Sequence, residues 1–109
     1  MSMNAMSLKI EVDNKTLADA LASDIQAIVD TKEQCPSSQP VISFTFIDGK
    51  HYVSFMVNFV SDDQADVKAA IESLIANSPY AGHVSGSSYK KHQCTHDETN
   101  PTPCVEESF

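Results

Sequence analysis

The chain has 109 residues, of which 41% are hydrophobic and 20% charged, enough for one globular domain with a single buried core. Its formal net charge is −8, from fifteen acidic residues and seven lysines, with no arginine. This balance argues against direct nucleic-acid binding, because phosphate contacts need clustered cations. No apolar run approaches the ~18 residues that could span a membrane.

The N-terminal part predicts a strand followed by a helix. Apolar and charged residues alternate over residues 8–12, as in a half-buried strand, and residues 1–5 are left out of the predicted fold. A helix is predicted from Thr16 to about Asp30, with Thr16 and Asp19 as a capping box. Its polar side, which carries Asp19 and Asp30, is interpreted as a solvated helix back, with a docking surface as the alternative.

Residues 41–60 predict a β-hairpin, because two apolar runs meet at Asp48-Gly49. A loop of Gly49-Lys50 would pair Phe44 with Phe55, whereas a loop of Asp48-Gly49 would shift the partners without changing the faces. Either way one face of the hairpin is apolar and the other largely polar. Something must therefore cover the apolar face.

A second helix follows, with acidic residues at its start and Asn77-Ser78-Pro79 at its end. Residues 84–91 are a weak candidate for a fourth strand, because they contain Gly86 and three serines. Residues 6–92 are predicted to form one α+β domain. The polar, acidic tail 93–109 is expected to be irregular or disordered.

The element order β-α-β-β-α, with a weak fourth strand, predicts a ferredoxin-like two-layer sandwich. In this fold an antiparallel sheet carries both helices on one face, and the first and third strands are central. The predicted core consists of Leu8, Ile10, Val12, Leu17, Leu21, Ile25, Ile28, Ile42, Phe44, Phe46, Val53, Phe55, Val57, Phe59, Val67, Ile71, Leu74 and Ile75.

The tail contains the one dense group of metal-ligand residue types: His92, Cys94, His96 and Cys104. Two thiolates and two imidazoles suit tetrahedral zinc, although the spacing lacks the usual pairs separated by two to four residues. The alternatives are a Cys94–Cys104 disulfide and free thiols, and free thiols are preferred. No other cofactor is expected.

Three surfaces are candidates for binding a partner protein, and one of them is the exposed edge of the second strand. The polar face of the sheet would present Tyr52, Met56 and Asn58, together with apolar side chains that suit a second copy of the chain or a different protein. The acidic backs of the helices, represented by Asp19 and Asp30, suit a partner with a basic surface.

These patterns predict a small, acidic, non-enzymatic binding or regulatory protein that acts by protein–protein contact. A specific version is an inhibitor that mimics nucleic-acid charge. The alternative is a metal- or redox-responsive protein that uses the cysteines and histidines of the tail. The chain lacks a glycine-rich phosphate loop, and an enzyme is the least favoured class. The N-terminus lacks the regions of a signal peptide, so we expect a cytoplasmic protein without membrane contact.

Overall fold

The computed structural model describes residues 2–35, 41–47, 49–95 and 105–109, and the side chains within 4–35, 49–92 and 106–109. Neither helix of this described chain is long and apolar enough to cross a membrane. The elements are β1 (Ser2–Val12), α1 (Lys15–Val29), β2 (Val41–Ile47), β3 (Lys50–Phe59), α2 (Gln64–Ile75), β4 (Val84–Thr95) and β5 (Val105–Ser108).

The five strands form one antiparallel sheet in the order β2-β3-β1-β4-β5. Helix α1 connects two strands that have β3 between them, and α2 connects two strands that have β1 between them. This pair of split crossovers, with β1 and β3 in the middle, confirms the predicted ferredoxin-like two-layer sandwich.

The predicted weak strand is a full one, since β4 extends over 12 residues and pairs with β1 along its length. The backbone groups at the second edge of β1 need hydrogen-bond partners, and this need outweighs the poor strand propensity of glycine and serine. Residues 93–95 belong to β4, and Val105–Ser108 pair with it as β5. The prediction of an irregular tail is therefore wrong for residues 93–95 and 105–108. Residues 96–104 lie outside the described residues.

The core lies between the helices and one face of the sheet, and most predicted core residues on β1, β3 and the helices are buried there. Leu17, Ile28, Leu74 and Ile75 are only partly buried against it. The side chains of Ile42, Phe44 and Phe46 lie outside those described. The prediction missed seven buried residues. Met6 was missed because β1 begins earlier than predicted, and Tyr89 because β4 was underestimated. The other five are Ala18, Ala22, Val29, Gln64 and Tyr80.

Two local details can be compared with the prediction: the N-terminal cap of α1 and the loop of the hairpin. Helix α1 is capped by Asn14, whose side-chain oxygen accepts a hydrogen bond from the Leu17 amide at 2.9 Å, so the Thr16 capping box is wrong. Asparagine is among the best N-cap residues, and it lies two positions earlier. The register pairs Phe46 with His51 and Gly49 has φ +78°, which selects the loop of Asp48-Gly49.

Candidate functional site

The structure presents two opposite surfaces, which we name the open face and the helix layer. The open face is the side of the sheet turned away from the helices, and the helix layer comprises residues 15–33 and 62–75. Strand alternation assigns residues of β1 and β3 to the open face, because residues between them are buried in the core. The strand register extends the assignment to β4 and β5. The described open-face side chains are Ala5, Ser7, Lys9, Glu11, Lys50, Tyr52, Ser54, Met56, Asn58, Ser88, Lys90, His92, Glu106 and Ser108.

The predicted partner-binding residues divide between these two surfaces. Tyr52, Met56 and Asn58 follow one another along β3 on the open face, whereas Asp19 and Asp30 lie on α1 in the helix layer. The fold therefore brings the first three together and places the two aspartates on the opposite side of the molecule. No single contact surface includes all five.

The two large hydrophobic side chains that are exposed within the described chain lie near the end of β3, one on the strand and one directly after it. Met56 is 57% exposed and Val60 is 42% exposed. Between them in sequence lies Asn58, whose side-chain oxygen is buried without a hydrogen-bond partner. An apolar patch around a polar group is typical of a protein contact surface.

A shallow groove of about 280 Å³ lies near the other end of the open face. The ammonium group of Lys9 lies 4.4 Å from the centre of the Tyr52 ring, a cation–π distance. Glu11 pairs with Lys50 at 3.6 Å on the same face. The groove is lined by Lys9, Glu11, Tyr52, Gly86, Ser87 and Ser88. The Lys9 ammonium group therefore covers one face of the Tyr52 ring.

The helix layer carries most of the negative charge of the protein. It contains eight carboxylates and three lysines, a formal net charge of −5. Two of its lysines are already paired: Lys32 lies 4.0 Å from Asp63, and Lys68 lies 3.8 Å from Glu72. The described side chains of the open face include three lysines and two glutamates, a net charge of +1 before any histidine is protonated.

Several carboxylates of the helix layer have no partner within the described part of the chain. Asp24 accepts a hydrogen bond from Tyr80, and Asp30 accepts one from the Gln26 amide at 2.8 Å. By contrast, the exposed side chains of Asp19 and Asp62 have no ion pair or hydrogen bond among the described residues. Asp19 and Asp30 are eleven residues apart, so they lie on the same side of α1, about 16 Å apart along its axis.

Of the four residues predicted to bind a metal, His92 and Cys94 lie on β4, and His92 is paired with Glu106 of β5. The His92 Nδ1 atom lies 3.7 Å from a carboxylate oxygen of Glu106, whose other oxygen lies 3.3 Å from the Lys90 ammonium group. Cys94 lies in β4 opposite Met3, and its side chain is outside those described. His96 and Cys104 lie outside the described residues.

Among the described side chains, no three histidines, cysteines or acids lie close enough together to hold a metal ion. Zinc binding therefore stays a prediction. The sequence did not single out Glu106, because the tail was expected to be irregular. The remaining cysteine, Cys35, is a half-buried free thiol whose sulfur lies 3.6 Å from the carbonyl oxygen of Phe59.

Comparison of the sequence with known protein families gave no match, and comparison with curated proteins gave none either. Among solved structures the chain is similar to "De novo designed protein Foldit4", with a TM-score of 0.60 and 12% sequence identity. The match covers 87% of this chain and 99% of that chain. At this identity the likeness shows the fold alone, the α+β sandwich described above.

Proposed function

We propose that this chain is a small, acidic, non-enzymatic binding protein that regulates a partner protein through its helix layer. The observation that carries the proposal is the separation of charge between a helix layer of net −5 and an open face of net +1. A surface of one sign attracts a partner of the opposite sign and orients it before contact. The expected partner therefore has a basic surface.

The unpaired aspartates support the helix layer as the contact surface. Asp19 and Asp62 are exposed and have no partner within the described chain, so a basic partner can bind them without breaking an existing ion pair. Asp19 is held on the regular helix α1, which keeps its carboxylate in place before binding, and Asp62 lies in the bend two residues before α2. Preorganised charges lose less entropy on association than charges on mobile loops.

A narrower form of the proposal is an inhibitor that mimics nucleic-acid charge. It is supported by the net charge of −8 and the lack of arginine in the whole chain. Such a protein would occupy the basic groove of a nucleic-acid-binding partner. Competition is its specific signature, because duplex DNA and this chain would then exclude each other from the partner.

The test starts with capture of partners from a lysate of the source cells and continues with the purified partner. Replacing Asp19 and Asp62 with asparagine removes two unpaired charges from the helix layer. The matched control, Glu11→Gln with Glu106→Gln, removes two charges from the open face. We expect the first variant to reduce the association rate at least ~10-fold at low salt and the control to change it little.

Salt supplies a second measurement on the same complex. Binding through exposed charges should weaken steeply as ionic strength rises, because screening shortens the Debye length to about 8 Å at physiological salt. Equal losses in the two variants, or binding that is indifferent to salt, would contradict contact through the helix layer. DNA that fails to compete would contradict the charge-mimic form alone.

A second copy of the chain on the open face is the alternative contact. The exposure of Met56 and Val60 favours it, because large apolar side chains at a surface gain free energy when a partner covers them. Sedimentation of the wild type and a Met56→Lys variant tests this form. A concentration-dependent dimer that the substitution abolishes would support it, and a wild-type monomer at all concentrations would rule it out.

A further inference from the structure

Strand β5 covers only part of the outer edge of β4. It pairs with residues 90–93 of that strand, which is 12 residues long. One more backbone contact follows, in which the Phe109 amide donates a hydrogen bond to the Tyr89 carbonyl at 3.2 Å. Among the described strands, residues 84–88 pair with β1 alone, so their outer edge offers backbone groups to an extended peptide.

On the side of the helices, an aromatic ring and two cations hold β5. The Phe109 ring makes an edge contact with the buried Tyr89 at 6.4 Å between ring centres. The Lys68 ammonium group lies 5.0 Å from the centre of the Phe109 ring, and that of Lys91 lies 5.7 Å from it. Lys91 also lies 3.1 Å from a carboxylate oxygen of Glu107. We name the surroundings of the Phe109 ring, formed by Tyr89, Lys68 and Lys91, the ring seat.

On the open face, a second acidic residue of β5 makes matching contacts. One carboxylate oxygen of Glu106 lies 3.3 Å from the Lys90 ammonium group, and the other lies 3.7 Å from the His92 ring. Together with Lys68 and Lys91, this places three of the seven lysines of a chain of net charge −8 beside one strand. The edge is therefore locally cationic and suits a ligand with adjacent acids.

We infer that the outer edge of β4 is a docking site for an extended peptide of a partner protein, and that residues 105–109 occupy it as an internal competitor. The segment that already fits defines the chemistry of the peptide: two consecutive acidic residues, any residue, then an aromatic one. Such a peptide adds a strand to the sheet. Its acids pair with Lys90 and Lys91, and its aromatic ring enters the ring seat.

The contacts of β5 are of a kind that a competitor can replace. Glu106 and Glu107 are each about half exposed, and exposed ion pairs contribute little to stability. The Phe109 side chain is only partly buried. The advantage of β5 is that it belongs to the same chain, which raises its local concentration. A longer peptide offsets this advantage, because it also pairs with residues 84–88, which β5 leaves uncovered.

This site is independent of the contact proposed for the helix layer. That contact uses the carboxylates of Asp19 and Asp62 and selects a basic partner, whereas the edge of β4 uses lysines and selects an acidic peptide. Loss of one binding activity therefore leaves the other in place, and the two are measured with different ligands.

The experiment adds a synthetic peptide with the sequence of residues 105–109 to the isotope-labelled full chain. The amide NMR signals of residues 84–93 report where the peptide binds. In a Phe109→Ala chain the internal competitor lacks its ring, so the peptide should bind this variant at least ~10-fold more tightly than the wild type. Circular dichroism shows whether the variant is folded. Glu106→Gln with Glu107→Gln is a second variant that weakens the competitor, through charge instead of packing.

Altered peptides test the assigned chemistry. A peptide with alanine in place of the phenylalanine, or with lysines in place of both glutamates, should bind the Phe109→Ala chain at least ~10-fold more weakly. A peptide extended by threonines beyond the phenylalanine should bind more tightly, because it can pair with residues 84–88.

Substitutions in the chain supply the matched comparison. Lys91→Glu, added to the Phe109→Ala chain, should weaken binding of the original peptide and favour the lysine-bearing one. Lys15→Ala removes an exposed lysine at the start of α1 and should leave peptide affinity unchanged.

Three results would overturn the inference. The first is that the peptide fails to bind both folded variants of the competitor, and the second is that the charge-reversed peptide binds as tightly as the original. The third is a concentration-dependent dimer, seen by sedimentation, that Phe109→Ala abolishes, because it would assign the edge to a second copy of the chain.

Discussion

The hydroxyl of Tyr80 donates a hydrogen bond to a carboxylate oxygen of Asp24, 2.5 Å away, and so joins the segment after α2 to the middle of α1. The Tyr80 ring is buried while Asp24 is exposed, so the bond spans the boundary between core and solvent. Burial raises the pKa of Tyr80 well above its ordinary value of 10.0, and the Asp24 carboxylate raises it further.

Replacing Tyr80 with phenylalanine should lower the free energy of unfolding at neutral pH by about 1–2 kcal/mol, the loss of a hydrogen bond to a partly solvated charged group. Because the folded-state pKa is raised, the contribution of Tyr80 is fully present below pH 10 and is lost as the pH rises above it. Urea unfolding across the alkaline range measures both effects. The variant should lose less stability above pH 10 than the wild type.

Burial also raises the pKa of Tyr89, so part of the alkaline sensitivity should remain in the Tyr80→Phe variant. A Tyr80→Phe Tyr89→Phe double variant should remove more of it. Parallel stability curves for wild type and Tyr80→Phe above pH 10 would contradict the assigned role of the Tyr80 hydroxyl.

Alanine substitutions at Gly49 and Gly86 form a matched test of backbone strain in the hairpin turn. A Cβ added at either position meets no atom within 4 Å, but only Gly49 has a positive φ, of +78°. Gly49→Ala should therefore destabilise the fold by about 1–2 kcal/mol through backbone strain alone. Gly86→Ala should be neutral or slightly stabilising, because an alanine restricts the unfolded chain more than a glycine does. Thermal unfolding of both variants distinguishes these outcomes, and equal losses would refute the role assigned to the turn.

Gln64 at the start of α2 is a buried polar side chain that is poorly satisfied. Its amide nitrogen lies 3.5 Å from the Ala5 carbonyl oxygen, and its own oxygen has no partner. Because an unpaired buried acceptor costs about 1–3 kcal/mol, replacement by methionine of similar shape should stabilise the protein by up to about 1 kcal/mol. Chemical denaturation measures the change.

The contrasting substitution is Gln26→Met on α1. The Gln26 amide makes a short bond of 2.8 Å to Asp30 and leaves no unpaired buried atom. This variant should lose up to about 0.5 kcal/mol. A Gln64→Met variant less stable than Gln26→Met would mean that Gln64 has partners beyond the described contacts.

Phe109 holds the end of β5 against the core. Its ring makes an edge contact with Tyr89 at 6.4 Å between centres, and the Lys68 ammonium group lies 5.0 Å from its centre. Phe109→Ala should cost about 2 kcal/mol, roughly half the loss for a fully buried phenylalanine, because the side chain is only partly buried. Hydrogen exchange should show β5 amides exchanging faster in this variant.

An ion pair of the same strand provides the control. Glu107 lies 3.1 Å from Lys91 but is more than half exposed, so Glu107→Gln should change stability by less than about 1 kcal/mol. If this substitution loosened β5 as much as Phe109→Ala does, charge rather than ring packing would hold the strand.

The sequence by itself determined the features that depend on neighbouring residues. Alternation over Val53, Phe55 and Val57 predicted a strand with one buried face, and the periodicity of Leu21 and Ile25 predicted the inner side of α1. These features are local because a side chain's direction follows from the backbone geometry of its own element. Together with the element order they were enough to predict the ferredoxin-like sheet.

The tertiary structure decided which strands pair and which residues meet. Tyr89 is buried on β4, although the stretch around it reads as a poor strand, because β1 offers that stretch an open edge. The contact between His92 and Glu106 depends on the register of β5, and no local pattern around Glu106 indicates it. Likewise the net charge is a property of composition, whereas its concentration on the helix layer arises because the fold places both helices on the same face. Pairing and layering join residues that are distant in sequence, so they depend on which edges and faces the rest of the chain leaves uncovered.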